Sequence, residues 1–313
     1  MGAAQICALL AFVLLGGCGR PMEDAAAEPL RVLGRMGYGP REFSYPRAIA
    51  IDHQDHAYIV DKTGRIQAFD AAGEWITSWR TPMIDAGKPT GLGVDRAGNV
   101  FVADTHYSRV LCYSPRGEML REFGGFGDDA GKFRLPTDVE VGADGDLFVG
   151  EYGGNDRLTH FSAAGEVDAP FGAAQHASAP LQRPQGIHID RTDSQVLWVS
   201  DSRNHRICKF SSDGRLLASF GRMGRDRGEL RFPYGIDQLS DGSLVVAEYG
   251  NNRVQRFAPN GESRGCWGRA GREVGELAYP WAVGVDSRDQ VWVVDSGNNR
   301  VQIIDGKSAA TWR

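Results

Sequence analysis

The 313-residue sequence lacks most of the features that assign a chemistry at sight. Its five cysteines include no C-x-x-C pair and no Cys/His spacing of the kind that holds zinc. The seven histidines, His53, His56, His106, His160, His176, His188 and His205, mostly fall in turns or at unmatched positions. Neither a phosphate-binding P-loop nor a nucleophile elbow is present. Positive charge is also lacking: 35 Lys and Arg against 40 Asp and Glu leave a net charge of −5. That balance excludes a globally basic nucleic-acid binder. The apolar run of residues 6–15, ICALLAFVLL, is too short to cross a bilayer as a helix.

Repetition is what the chain has in quantity. Six prolines, Pro46, Pro89, Pro136, Pro184, Pro233 and Pro280, recur at spacings of 43, 47, 48, 49 and 47 residues. Each opens a short alternating segment such as AIAID, GLGVD or GIHID, followed by an Asp-, Gly- or Asn-bearing turn. A strongly apolar segment comes next (VFVA, LFVG, LWVS, LVVA, VWVV), suited to burial on both faces. A Gly/Asn-rich turn, an arginine and a third segment follow, then a second hairpin and a fourth segment ending in Phe-Gly or Trp-Gly. A period in the forties built only of strands predicts propeller blades. The fold expected is therefore all-β, a six-bladed β-propeller of four-stranded antiparallel blades over residues 30–313. The 41 glycines suit a protein with four turns per blade.

The two ends predict how the ring closes. LRVLGRMG near the start matches LLASFGRMG, the end of a fourth strand, yet no blade precedes it. The last repeat has three strands and then only GKSAATWR. Residues 30–35 are expected to complete the last blade, with SAATW as the rival strand. Closure of this kind removes the edges that an open array would expose.

The repeat resembles that of NHL-repeat proteins, six-bladed β-propellers, and residues 268–304, GRAGREVGELAYPWAVGVDSRDQVWVVDSGNNRVQII, carry the pattern in full. The resemblance covers residues 30–305 and implies the fold; such folds host many unrelated activities. At the N-terminus, Leu15-Gly16-Gly17-Cys18 resembles the lipobox of bacterial lipoproteins, although MGAAQ carries no Lys or Arg. It implies a signal peptide over 1–17, lipidation of Cys18, and a tether over 18–29 that holds the propeller at a bacterial envelope membrane, outside the cytoplasm. Cys112, Cys208 and Cys266 share no repeat position and read as buried apolar groups rather than disulfides.

An acidic residue ends strand two and an arginine opens strand three in every blade. The pairs are Asp61 and Arg65, Asp104 and Arg109, Glu151 and Arg157, Asp201 and Arg206, Glu248 and Arg253, and Asp295 and Arg300. A constellation present six times is scaffold, because an active site needs one copy; these are expected to be structural ion pairs. Function is sought where blades differ. The residue after each proline is expected to face one mouth of the channel, which brings Arg47, Thr137, Gln185, Tyr234 and Trp281 together with Tyr152 and Tyr249 from the facing loops. Asp138 joins them as the residue that replaces Gly or Ala of the other blades. Such a face suits a protein, peptide or glycan partner.

The reading drawn is a monomeric, membrane-anchored binding propeller that is not an enzyme, with no cofactor, no metal and no nucleic-acid partner. The alternative is a metal-assisted hydrolase or lyase of the gluconolactonase or amidating-lyase propeller type. The resemblance to amidating lyases implies zinc histidines just after blade prolines, and no post-proline residue here is His. The gluconolactonase type implies a carboxylate cluster in the channel. Asp138, Glu140, Asp190 and Asp237 are the acidic departures near strand one, read as lying in different registers.

Overall fold

The computed structural model describes residues 27–173 and 179–313. Cys18, most of the tether and the export-signal segment lie outside the described residues. Among those described, the chain forms 23 strands and three single-turn 3-10 helices, arranged as six blades around a ring. The innermost strands are Pro46–Ile51, Gly91–Val94, Leu135–Val141, Pro184–Ile189, Pro233–Gln238 and Pro280–Val285. Each pairs antiparallel with the second strand of its blade, and the order runs outward in sequence. Blade three departs from the pattern. Its fourth strand is reduced to two bridges, Leu158 to Phe171 and Phe161 to Val167.

Closure follows the N-terminal route. Arg31–Leu33 pairs antiparallel with Arg300–Asp305, with Arg31 opposite Ile303 and Leu33 opposite Val301. The rival segment goes elsewhere. Arg313 exchanges two backbone hydrogen bonds with Cys266, 2.9 and 3.0 Å, and so covers the free edge of the blade-five outer strand Ser263–Trp267. Trp312 is buried beside it.

The core lies between blades. Phe69 and Ile59 of blade one pack with Trp292, Val294 and Val301 of blade six, and equivalent clusters recur at the other blade junctions. Second strands such as Ala57–Asp61 and Leu244–Glu248 are buried at every position, because both of their faces meet a neighbouring blade. Each large side chain wholly enclosed there contributes roughly 1.5–3 kcal/mol. Cys112 and Cys208 belong to these clusters, and the three described cysteines are unpaired.

The six ion pairs tie the blade mouths. Their carboxylates are fully enclosed, with Arg–carboxylate distances from 2.5 to 3.0 Å. In most blades the same guanidinium also holds the loop that enters the blade. Arg253 donates to the carbonyls of Arg225, Asp226 and Glu229, and Arg300 to those of Glu273 and Glu276. Arg109 differs: its second partner is the Glu122 carboxylate at 3.1 Å, and its Nη2 is buried without a hydrogen-bond partner among the described residues. The loop entering blade two, TPMIDAGKP, lacks the Gly-spaced form that presents carbonyls in the other blades.

A candidate active site in the channel

A channel of about 580 Å³ runs along the inner strands. The fourth residue after each blade proline is Ala50, Gly93, Glu140, His188, Asp237 or Gly284. The three ionisable members come from consecutive blades and converge. His188 Nδ1 lies 3.3 Å from Asp237 Oδ1 and 3.5 Å from Glu140 Oε1. This corrects the expectation that the channel acids lie in different registers: Glu140 and Asp237 share one position, and His188 stands between them. Opposite this trio, Ala50, Gly93 and Gly284 leave the wall bare. Gly93 has no alternative there, since a Cβ would stand 2.4 Å from the Val139 carbonyl oxygen.

Asp138 lies two residues before Glu140 on the same strand, so both project to one side. Each channel acid spends one oxygen on the next inner strand. Ile187 N–H donates to Asp138 Oδ2 at 3.0 Å, Ile189 N–H to Glu140 Oε1 at 3.2 Å, and Val285 N–H to Asp237 Oδ2 at 2.7 Å. These bonds pin the side chains and cross-link neighbouring blades. Asp237 Oδ1 also receives Arg191 Nη2 at 3.1 Å.

Enclosure sets the proton occupancy. Loss of hydration pushes the Asp138 carboxyl up to about 7, against backbone N–H groups that favour its charged form. The same loss, reinforced by the charge on Asp138, holds Glu140 well above the usual carboxylate range. It lowers His188, with Asp237 opposing. Loss of hydration thus favours the neutral form of both side chains, the protonated carboxyl of Glu140 and the uncharged imidazole of His188. The His188 side chain is 9% exposed and its Nε2 is buried without a partner among the described residues.

The other end of the channel is roofed. Tyr45 and Trp281 meet edge to face at 6.0 Å, Trp281 and Tyr234 at 5.0 Å, and Tyr234 stacks on Tyr249 at 4.7 Å. Arg183 lies 5.9 Å from the centre of the Tyr234 ring and 4.7 Å from that of Tyr152, which carries the roof on to blade three. Arg47 sits 5.0 Å from the Trp281 ring centre. Of the residues expected at this mouth, Thr137, Gln185, Tyr234 and Trp281 are buried, while Arg47, Tyr152 and Tyr249 are half-buried. The aromatics spend their faces on one another instead of standing open. Thr137 donates to the Pro184 carbonyl at 2.6 Å and so joins blades three and four.

The sequence reading missed His188. The position directly after each proline holds no histidine, and the histidine and two acids align only three residues further on.

A metal fits poorly. Among the described residues no three or more His, Cys, Asp or Glu side chains converge as a metal set. Asp138, Glu140 and Asp237 already each have an oxygen engaged by a backbone N–H.

The architecture is that of a six-bladed β-propeller, and the NHL repeat family matches residues 230–257 and 277–304, the first three strands of blades five and six. The chain thus carries NHL repeats on a propeller frame. It is 27% identical over 135 residues to protein brain tumor of Drosophila melanogaster, covering 43% of this chain and 12% of that one. It is also 27% identical over 154 residues to the probable peptidyl-α-hydroxyglycine α-amidating lyase of Caenorhabditis elegans, covering 47% and 41%. The chain thus spans less than half the length of either curated relative. A streptogramin B lyase structure shares the fold at a TM-score of 0.62 and 17% identity, covering 87% and 96%. The presence of amidating lyases among the relatives overturns the expectation of a protein that is not an enzyme.

Proposed function

We propose that the propeller is a lyase that works by general acid–base chemistry in its channel, on a peptide-derived substrate of the α-hydroxyglycine class. The observation that carries this reading is the contact of Glu140 with His188 under opposite proton preferences. The similarity to amidating lyases supports the substrate class. No step is routed through a metal, because the donor set does not fit one.

The Asp237 carboxylate beside Nδ1 favours the tautomer that donates there, which leaves the lone pair on the unpartnered Nε2. An α-hydroxyglycine carries a hydroxyl and an amide nitrogen on one carbon. Nε2 lies buried in the channel wall, so the imidazole turns about its Cβ–Cγ bond to bring it to the substrate; His188 Nε2 then takes the hydroxyl proton, the carbon–oxygen double bond forms, and the carbon–nitrogen bond breaks. The Glu140 carboxyl gives its proton to the departing nitrogen, so an amide and an aldehyde leave. The proton on His188 returns to Glu140 through channel water.

Positioned acid–base groups contribute about 10²–10⁴-fold each. With N-benzoyl-α-hydroxyglycine as the probe, His188→Gln and Glu140→Gln are each expected to lower kcat at least ~100-fold with little change in melting temperature. Wild-type turnover should hold a plateau across neutral pH, and Glu140→Gln should lose its alkaline limb. Wild-type turnover that survives in His188→Gln would sink the assignment.

A further inference from the structure

We infer that the channel is a one-ended chamber, entered from the hairpin face, and that Arg191 is the residue there that receives an anionic end of the ligand. Naming that ligand the substrate rests on the acid–base reading above; the route and the anion site rest on the geometry alone.

Three observations carry the route. At the proline end, the chain of rings from Tyr45 through Trp281, Tyr249 and Tyr234, continued by Arg183, bridges five of the six blades. The hydroxyls of Tyr45 and Tyr249 approach to 3.5 Å across it. At the opposite end, the turns between strands one and two contribute His53, Arg96, Ala143 and Arg191 to the channel wall, and all four are exposed. The catalytic trio lies toward this end. Its residues follow the prolines by four positions, while the roof starts one position after them, a separation of about 10 Å along the strand.

Arg191 is held across the entrance. Its backbone N–H donates to Gln238 Oε1 at 2.7 Å, and its Nη2 donates to Asp237 Oδ1 at 3.1 Å and to the Val285 carbonyl at 2.9 Å. Blades four, five and six are thereby joined at the rim. Nη2 is committed to both bonds, while Nη1 and Nε have no hydrogen-bond partner among the described residues. The side chain is 37% exposed. A cation held in place through Nη2, with the N–H groups of Nη1 and Nε still free, is positioned to give single charge-assisted hydrogen bonds to a carboxylate or a similar anion. The acid in contact with the guanidinium is Asp237, 3.1 Å from Nη2, and burial below it favours the uncharged forms of Glu140 and His188. Arg96 on the rim of blade two adds a second cation, and its side chain makes no ion pair among the described residues.

The test measures access, not turnover. Ala50→Cys puts a thiol in the layer of the trio, on a background with Cys7, Cys18 and Cys266 each replaced by Ser, since Cys112 and Cys208 are buried. Ala282→Cys, also on the channel wall, serves if the first variant does not fold. The probes are two methanethiosulfonate reagents of similar size, one with a sulfonate and one with a trimethylammonium group. The anionic reagent should react at least ~5-fold faster than the cationic one, and Arg191→Gln should abolish that preference. Ala143→Trp, which crowds the hairpin-face entrance, should slow both reagents at least ~10-fold. Unchanged labelling in Ala143→Trp overturns the route. Equal rates for the two probes, or a preference that survives Arg191→Gln, overturns the anion site. Neither outcome depends on catalysis, so loss of the lyase reading and loss of this one are separable.

Discussion

Replacing Asp138 by asparagine should make the protein more stable above pH 7 and leave it nearly unchanged at pH 4. In the unfolded chain an aspartate titrates near about 3.9. In the folded channel Asp138 is pushed up to about 7 by loss of hydration. A folded-state pKa raised in this way means stability that is present below pH 4 and is lost as pH rises through 7. The gap is about 3 pH units at about 1.4 kcal/mol each, or about 4 kcal/mol at most. Asp138 keeps some contact with channel water, so the measured gain should fall at about 2–4 kcal/mol. The asparagine oxygen can still accept the Ile187 N–H, so the cross-link between blades three and four survives. Glu140 should relax toward its ordinary range in the variant, because the charge on Asp138 helps hold it up. Urea unfolding of both proteins at pH 4, 6 and 8 gives the answer. The difference in stability should grow with pH and level off above 7. A difference that is flat from pH 4 to 8 would show that Asp138 is ionised in the channel, and the reasoning about its enclosure would fall.

Two further outcomes follow from the scaffold and the N-terminus. Arg253→Ala leaves Glu248 fully buried without its cation and removes donors from three loop carbonyls, at a cost of about 3–5 kcal/mol. Arg109→Ala should cost less in the same thermal or urea melt, since Arg109 holds no loop carbonyl and its second partner, Glu122, is exposed; equal losses would show that the loop bonds contribute nothing. Anchoring through Cys18 is a proposal resting on Leu15-Gly16-Gly17-Cys18 alone, and labelled palmitate should enter the wild type but not Cys18→Ser when the protein is produced in a bacterial host.

The period of the prolines, the strand-two acids and the strand-three arginines was enough to read six blades and their order from the chain. Closure was legible as well, because LRVLGRMG has a partner sequence and no blade of its own. These features are local and repeated, so each copy supports the others. The site was legible only in part. Asp138 stands out against Gly and Ala at its position, but the weight of His188 depends on Glu140 and Asp237 about fifty residues to either side. Only the ring brings those three within 3.5 Å. The roof was beyond the sequence for the same reason. Tyr152, Tyr234, Tyr249 and Trp281 read from the sequence as an open face, and only side-chain packing across the axis turns them, with Tyr45, onto one another. Local pattern determines each blade, since a strand's faces follow from alternation. The proton states of the channel come from enclosure, a property of the closed ring that no single blade possesses.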